Sequence, residues 1–385
     1  MRDWVDLGSA DVSRRGVLLG LVGVLVAGCT APGEVSTPSP SAVPTPTPTP
    51  TPISTLTPVV DSRPRWPLTG ALLDDPAAAA HAAVAVKVPD TKVEHPQLGI
   101  NDADLVFVEL DGYPDAAGDS STRLVPVFHS RMPDVVGAVR SLRPVDVALL
   151  APIHAVIGST GAAGWVERYL GDHQAVVDAA HTYLATKGTG AYSIDQSRVR
   201  TVRGKTYYDR AVMCHPAVLG RVAGRFAEGP PQAYLPWATS EDAPSTDAGS
   251  PANRVVVPWK RGDSYAMTYD YDAGAGLYRR SMPWGQHVLQ DGSRVTTDNI
   301  LVVKAGLDRV KLTAGEGGAE PMHLITDASG PFIYCHGGRA VSGTWTKGGV
   351  EQPFGFTLAD GSPLRVAPGR TFVELPGLEA NVACT

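Results

Sequence analysis

The sequence predicts an α/β (or α+β) domain followed by a mostly antiparallel β domain, with a disordered Pro/Thr-rich tether ahead of both. Three observations carry this. Short apolar runs alternate with helix-like stretches over 65–238. From 253 onward, strand-like segments follow one another with turn signals between them and no long helix pattern. Residues 30–64 hold 10 Pro and 8 Thr in 35 positions, too few apolar groups to offset the entropy of ordering. Over the whole chain, 43% hydrophobic and 19% charged residues are globular values. A net charge of −6 and a pI of 5.9 speak against a nucleic-acid partner, which calls for a strongly basic domain.

At the N-terminus, Arg14-Arg15 precede an uncharged run of 13 residues, Gly16–Gly28. A membrane span needs ~20 residues, so residues 1–28 read as a signal peptide with a twin-arginine-like motif. The run ends Val26-Ala27-Gly28-Cys29, small residues before a cysteine, as in a lipobox. The expectation is lipidation at Cys29 and a lipid-anchored linker over 29–64. Loss of 1–28 removes three bases and three acids and leaves the charge at −6. The acyl chains, at ~0.8 kcal/mol per buried CH₂, must then hold the protein at the membrane. A polyproline II linker of this length reaches roughly 100 Å at ~3.1 Å per residue.

In the first domain the runs 82–86, 105–108, 124–128 and 154–158 suit strands buried on both faces. Stretches 144–150, 164–170 and 216–226 suit helices, the first and last opening on proline. Residues 239–252 form a polar linker. The second domain, 253–385, carries strand patterns at 255–259, 265–269, 277–281, 300–304, 322–326, 332–335, 339–345, 355–358, 363–366 and 371–375. Asp291-Gly292, Gly337-Gly338 and Asp360-Gly361 supply turns.

With Cys29 assigned to lipid, Cys214, Cys335 and Cys384 remain. Outside the membrane a disulfide is permitted, and Cys335 with Cys384 is the most economical pair; buried free thiols are the alternative. The histidines show no His-x-His or His-Glu-x-x-His spacing and there is no Cys-x-x-Cys, so neither a metal nor a cofactor is indicated.

The segment Gly137-Ala138-Val139-Arg140-Ser141-Leu142-Arg143-Pro144 sets two arginines and a serine just before a helix start. Guanidinium groups there suit bidentate contact with carboxylate or phosphate, and Arg123 at a strand start can join them. Glu109 and Asp111 end the preceding strand. Two arrangements compete: a ligand pocket at strand ends formed by Glu109, Asp111, Arg123, Arg140, Ser141 and Arg143, or an internal Arg–carboxylate network that ties loops together. Ser159, in the strand-to-helix turn Gly158-Ser159-Thr160-Gly161, is either part of an anion-binding turn or an ordinary helix-capping residue.

Several of these segments resemble the YerB-like lipoproteins, a family catalogued as a domain of unknown function (DUF3048). They are Pro67-Leu68-Thr69-Gly70, Ala103 to Glu109, Thr122-Arg123 and Gly137 to Pro144. In the second domain Tyr278-Arg279-Arg280, Asn299 to Val303, Gly343-Thr344-Trp345 and Pro368 to Val373 match the family's later motifs. Two places depart from the pattern. A Glu-Gly-Gly-like loop is replaced by Asp111-Gly112 and an acidic loop, and a Pro-His-Asn motif by Cys214-His215-Pro216. The resemblance implies a two-domain, membrane-anchored envelope protein and supplies no reaction.

The functional expectation is a lipoprotein on the outer face of the cytoplasmic membrane. It binds a polar or anionic ligand, a cell-wall polymer or an envelope protein. The alternatives are a hydrolase or transferase acting on envelope polymer, with Glu109 or Asp111 as acid/base, and a structural scaffold.

Overall fold

The computed structural model describes residues 63–114, 120–208, 210–259 and 265–385. The signal peptide, Cys29 and nearly all of the Pro/Thr-rich linker lie outside the described residues.

The chain enters with β1 (Val84–Val86) and β2 (Val88–Pro89), followed by the long hairpin of β3 (Leu105–Pro114) and β4 (Ser120–Phe128). Helix α1 spans Val145–Leu150, α2 spans Gly164–Asp172 and α3 spans Pro216–Val222. α3 opens on proline, whose missing N–H costs nothing in a first turn. Among the described residues strand outweighs helix, and the helices are short.

One 11-stranded sheet runs through the fold. Its main path is 250–251, 339–347, 328–336, 299–303, 371–374, β3, β4, β1, 156–158. The strand Thr371–Glu374 lies parallel to both Asn299–Val303 and β3, so a late strand of the second region is inserted beside the first long strand of the first. Regions 65–238 and 253–385 therefore share a sheet. The linker between them also belongs to it, because Ser250–Pro251 pairs with 339–340. Strand 156–158 runs parallel to β1, while β3 and β4 are antiparallel.

The central strands are buried on both faces, which explains their continuous apolar composition: Val84–Val86, Leu105–Val108 and Asn299–Val303 have no exposed position. Other strands of the second region form a six-stranded sheet built on 254–258, 266–272 and 277–282. The two sheets face each other where Tyr269 packs edge-on against Phe372, ring centroids 6.0 Å apart. The strand expected at 363–366 appears only as isolated bridges at Pro363 and Val366. The strand expected at 322–326 is present at 320–324, but its hairpin partner 306–310 and the three-stranded sheet of 136–137, 192–194 and 212–214 have no counterpart among the expected strands.

Because one neighbour of β3 comes from near the C-terminal end, truncation after residue 252 leaves a buried central strand without one of its two partners. Full-length protein is expected to unfold in one cooperative transition by circular dichroism, and a 63–252 fragment to show none. Cooperative unfolding of that fragment, with near-native near-UV signal, would contradict a shared sheet as the folding unit.

Candidate functional site

The Gly137–Pro144 segment threads between strand ends. Val136–Gly137 pairs with Val212–Cys214, Arg140 N–H donates to Lys87 C=O at 2.8 Å, and Leu142 N–H donates to Gly161 C=O at 2.9 Å. A Cβ at Gly137 would overlap Met213 Sδ, so any larger residue there would have to displace the Met213 side chain.

Each arginine of the motif meets protein acceptors. Arg140 Nε donates to Glu94 Oε1 at 2.6 Å, with a second bond from Nη2. Arg123 donates to Ser141 C=O at 2.6 Å and to the Asp111 carboxylate. Arg143 Nε donates to Asp111 C=O at 2.9 Å and lies 3.6 Å from Glu320 Oε2. Of the two arrangements open from the sequence, the residues adopt the internal network. Arg123 and Arg143 are buried, while Arg140 keeps partial exposure.

Glu109 is also buried, and Lys87 Nζ is shared between it and Asp146 Oδ1, the latter at 2.6 Å. Burial pushes the Glu109 carboxyl up to about 7 against the pull of Lys87, with Asp146 adding to the rise. One cation between two carboxylates leaves one of them better off protonated. Asp146 Oδ2 also accepts from Arg143 N–H at 2.7 Å, fixing the start of α1. Ser159 is buried in its turn: Oγ accepts from Gly161 N–H at 3.3 Å and its N–H donates to the Tyr192 hydroxyl at 3.0 Å. It serves the turn.

A second network joins the two regions. Arg280, of the Tyr278-Arg279-Arg280 motif, is fully buried. Its Nη2 donates to Asp90 Oδ2 at 2.7 Å and its Nη1 to His287 Nδ1 at 2.8 Å. His287 then donates from Nε2 to Gln97 Oε1 at 2.8 Å, and Gln97 donates to Pro89 C=O at 2.9 Å. Thr122 donates to Asp90 Oδ2 at 2.9 Å, and His95 Nε2 lies 3.1 Å from Asp90 Oδ1. Burial alone would raise the Asp90 carboxyl, but Arg280 and His95 hold it well below the usual range. Arg280 Nε also reaches the Tyr269 hydroxyl at 3.3 Å; Tyr269 and Trp259 both donate to Glu374 on the inserted strand.

Asp90, His95 and His287 place ligand atoms within 4.8 Å of one another, a spacing that suits a divalent ion. The charges do not suit one. Arg280 already neutralises Asp90 and occupies the lone pair of His287, so an added dication would sit beside a buried guanidinium with one shared carboxylate.

This network approaches the surface at Glu94 and His95, which line a cleft of about 370 Å³ together with Arg198, Arg200 and Arg210. Arg198 is anchored by Gln290 Oε1 at 2.6 Å and by Asp195. The hairpin Arg200–Val202/Lys205–Tyr207 stands out beside it, with the Arg200 guanidinium 5.6 Å and Lys205 Nζ 5.3 Å from the Tyr207 ring centre. Five basic residues occupy the 13 positions 198–210, against a single acid, Asp209. The sequence reading passed over this run; charge density along a net-acidic chain was the signal that would have found it. Two larger grooves have other chemistry. One of about 710 Å³ is lined by Glu167, Asp178, His181 and Glu228, and one of about 760 Å³ by Asn101, Asp104, Ser130 and Arg370.

Buried titratable groups set the pH response. Burial lowers His129 to about 4, His323 to about 3 and His287 well below its ordinary value, so all three are neutral in the fold. The unfolded chain takes up their protons below ~6.5, and that stability is lost as pH falls. Asp104, raised by burial to about 6, and Glu109 act oppositely: their contribution is complete below ~4 and is lost as pH rises through 6 and 7. Glu374, raised by burial as well, acts with these carboxyls, so histidines and carboxyls oppose each other as pH falls from about 6.5 to 4.5. Glu109→Gln, a mimic of the protonated form, should be tolerated at pH 7 and should steepen the loss of stability between about pH 6.5 and 4.5 by roughly 1 kcal/mol per pH unit in urea titrations. An unchanged slope would mean that Glu109 is ionised in the fold.

Comparison with known proteins agrees with this architecture. Residues 68–211 match the N-terminal domain, and residues 255–373 the C-terminal domain, of the protein of unknown function DUF3048. No curated protein matches the chain. The crystal structure of the YerB protein from Bacillus subtilis is similar, with a TM-score of 0.64 at 20% identity, covering 83% of this chain and 100% of that one. That likeness is one of fold. With both domain matches in order along its length, the chain belongs to the DUF3048 family.

Proposed function

We propose that this chain is a membrane-anchored extracytoplasmic lipoprotein that binds an anionic polymer of the cell envelope without turning it over. Lipid on Cys29 would hold it at the outer face of the cytoplasmic membrane, with the Pro/Thr-rich linker as spacer. The observation that carries the binding reading is the cationic cleft and hairpin of Arg198, Arg200, Arg203, Lys205 and Arg210 on a protein of net charge −6. A local excess of positive charge, here set against Glu94, Asp195 and Asp209, recruits a polyanion even where the whole protein is repelled, because screening confines the interaction to about 10 Å. Tyr207 and the half-exposed Tyr208 add flat apolar surface beside those charges. The seat differs from the Arg123/Arg140/Ser141/Arg143 pocket expected from the sequence, whose arginines are spent on Asp111, Glu94 and backbone carbonyls. The enzymatic alternative has weaker support, since Glu109 has no surface and Asp111 is held by Arg123 and Arg143.

A phosphodiester-linked glycerol polymer, immobilised and titrated with the protein, tests the reading. The Arg200→Glu/Arg210→Glu double variant should bind at least about tenfold more weakly and with a shallower salt dependence, by analogy with other polyanion contacts. Binding equal to wild type would remove the cleft from the proposal. Separately, Cys29→Ser should abolish incorporation of labelled fatty acid and release the protein from the membrane fraction; retention without label would remove the anchor.

A further inference from the structure

Ser193 lies in the strand Tyr192–Ile194, which pairs with Val212–Cys214 on one side; among the described residues no strand pairs with its other side. His215 follows Cys214 directly and leads into α3. In the antiparallel register Ser193 faces Met213, so His215, two positions on, lies diagonally across from it on the same face. The Ser193 hydroxyl is 2.9 Å from His215 Nε2, and His215 Nδ1 is 2.7 Å from the main-chain oxygen of Asp134. A carbonyl can only accept, so in the neutral ring Nδ1 carries the hydrogen. Nε2 is then a lone pair, and the Ser193 hydroxyl is the donor to it. The backbone of His215 is fixed on both sides: its N–H donates to Ala191 C=O at 2.9 Å, and its C=O accepts from Leu219 N–H at 2.9 Å. Ser193 is exposed and His215 half-buried. The other nucleophilic side chains lack this arrangement. Cys214, Cys335 and Cys384 are free thiols in this structure, the alternative to a Cys335–Cys384 bridge, and Ser159 is buried. The exposed Ser197 and Ser362 donate to the carboxylates of Asp195 and Asp360, each at 2.6 Å, and not to an imidazole.

We propose that Ser193 is a nucleophilic serine with His215 as its base, and that it accepts an acyl group from an activated ester. Ser193 Oγ attacks the ester carbonyl, and its proton passes to His215 Nε2. The tetrahedral intermediate then collapses, the bond to the leaving oxygen breaks, and the alcohol departs with the proton held on His215. The products are O-acyl-Ser193, the free alcohol and neutral His215, with no change of oxidation state. This chemistry needs a nucleophile–base contact and a base–orienter contact, and both are present, with Asp134 C=O in the orienting place that a carboxylate often takes. The open edge of the strand supplies a donor for the developing oxyanion. His215 N–H to Ala191 C=O and Asp195 N–H to Ala211 C=O make the odd-numbered positions the ones that bond to the neighbouring strand. The N–H of Ile194, directly after the nucleophile, therefore points to the unpaired side.

Neither residue lines the cationic cleft, so the inference stands apart from polymer binding there. Full-length protein is incubated with a p-nitrophenyl phosphonate ester. Its transfer to a serine releases nitrophenolate and leaves a stable analogue of the tetrahedral acylation intermediate. Peptide mapping by mass spectrometry should place the phosphonyl group on Ser193 and leave Ser197 and Ser362 unmodified. Ser193→Ala should lose that adduct. His215→Gln, with native circular dichroism, should be labelled at least about 100-fold more slowly, the loss expected when a general base is removed. Should that variant fail to fold, the comparison of Ser193 with Ser197 in the wild type decides alone. Labelling of Ser193 no faster than of Ser197, or at an undiminished rate in folded His215→Gln, would overturn the proposal.

Discussion

The pairing of Asp90 with Arg280 is the contact on which the other polar arrangements depend. These residues lie 190 positions apart, one beside β2 and the other in the second region, and both are fully buried. An isolated ion in that setting costs several kcal/mol of desolvation, so neither side chain can be placed without the other. Once they meet, the remaining hydrogen-bonding capacity of each is directional. Asp90 fixes Thr122 and His95, while Arg280 fixes His287 and the Tyr269 hydroxyl. A pair of well-packed apolar residues could match its stability. It could not specify which loop meets which strand. Registry between the two regions is the role we assign to it.

The same accounting explains where the cleft sits. His95 is held from behind by Asp90 and packs against Trp284 and His287, with ring centroids 5.2 Å and 4.8 Å away. Its ring edge reaches the surface between Glu94, itself tied by Arg140, and the anchored Arg198. The surface cleft thus inherits its shape from buried polar groups on both regions.

Element positions were legible where composition alone decides them. Val84–Val86 and Leu105–Val108 are apolar on both faces because they are central strands, and Pro144 and Pro216 mark the starts of α1 and α3. Partners were not legible. Strand patterning states which face is buried and says nothing about which strand lies alongside, so the parallel insertion of Thr371–Glu374 beside β3 had no local signature. The motif arginines were legible as a group, but their acceptors Glu94, Asp111 and Glu320 come from three separate loops and strands. Arg280 stood in a quoted motif without its role being readable, since Asp90 and His287 carry no spacing that announces them.

Why an anion should prefer the hairpin to the motif arginines follows from magnitudes. To seat a ligand, Arg123 or Arg143 would have to release Asp111, and breaking a buried pair costs about 3–5 kcal/mol. A new charge-assisted hydrogen bond returns about 1.5–3 kcal/mol, less than the loss. Arg203 and Lys205 are exposed, so an incoming phosphate or carboxylate there mainly displaces water and counterions, while Arg200 and Arg210, half-buried at the cleft and already engaged, add positive potential behind them. The buried arginines organise the fold because their carboxylate and carbonyl acceptors lie within it, and the hairpin is suited to recognition because Arg203 and Lys205 face solvent.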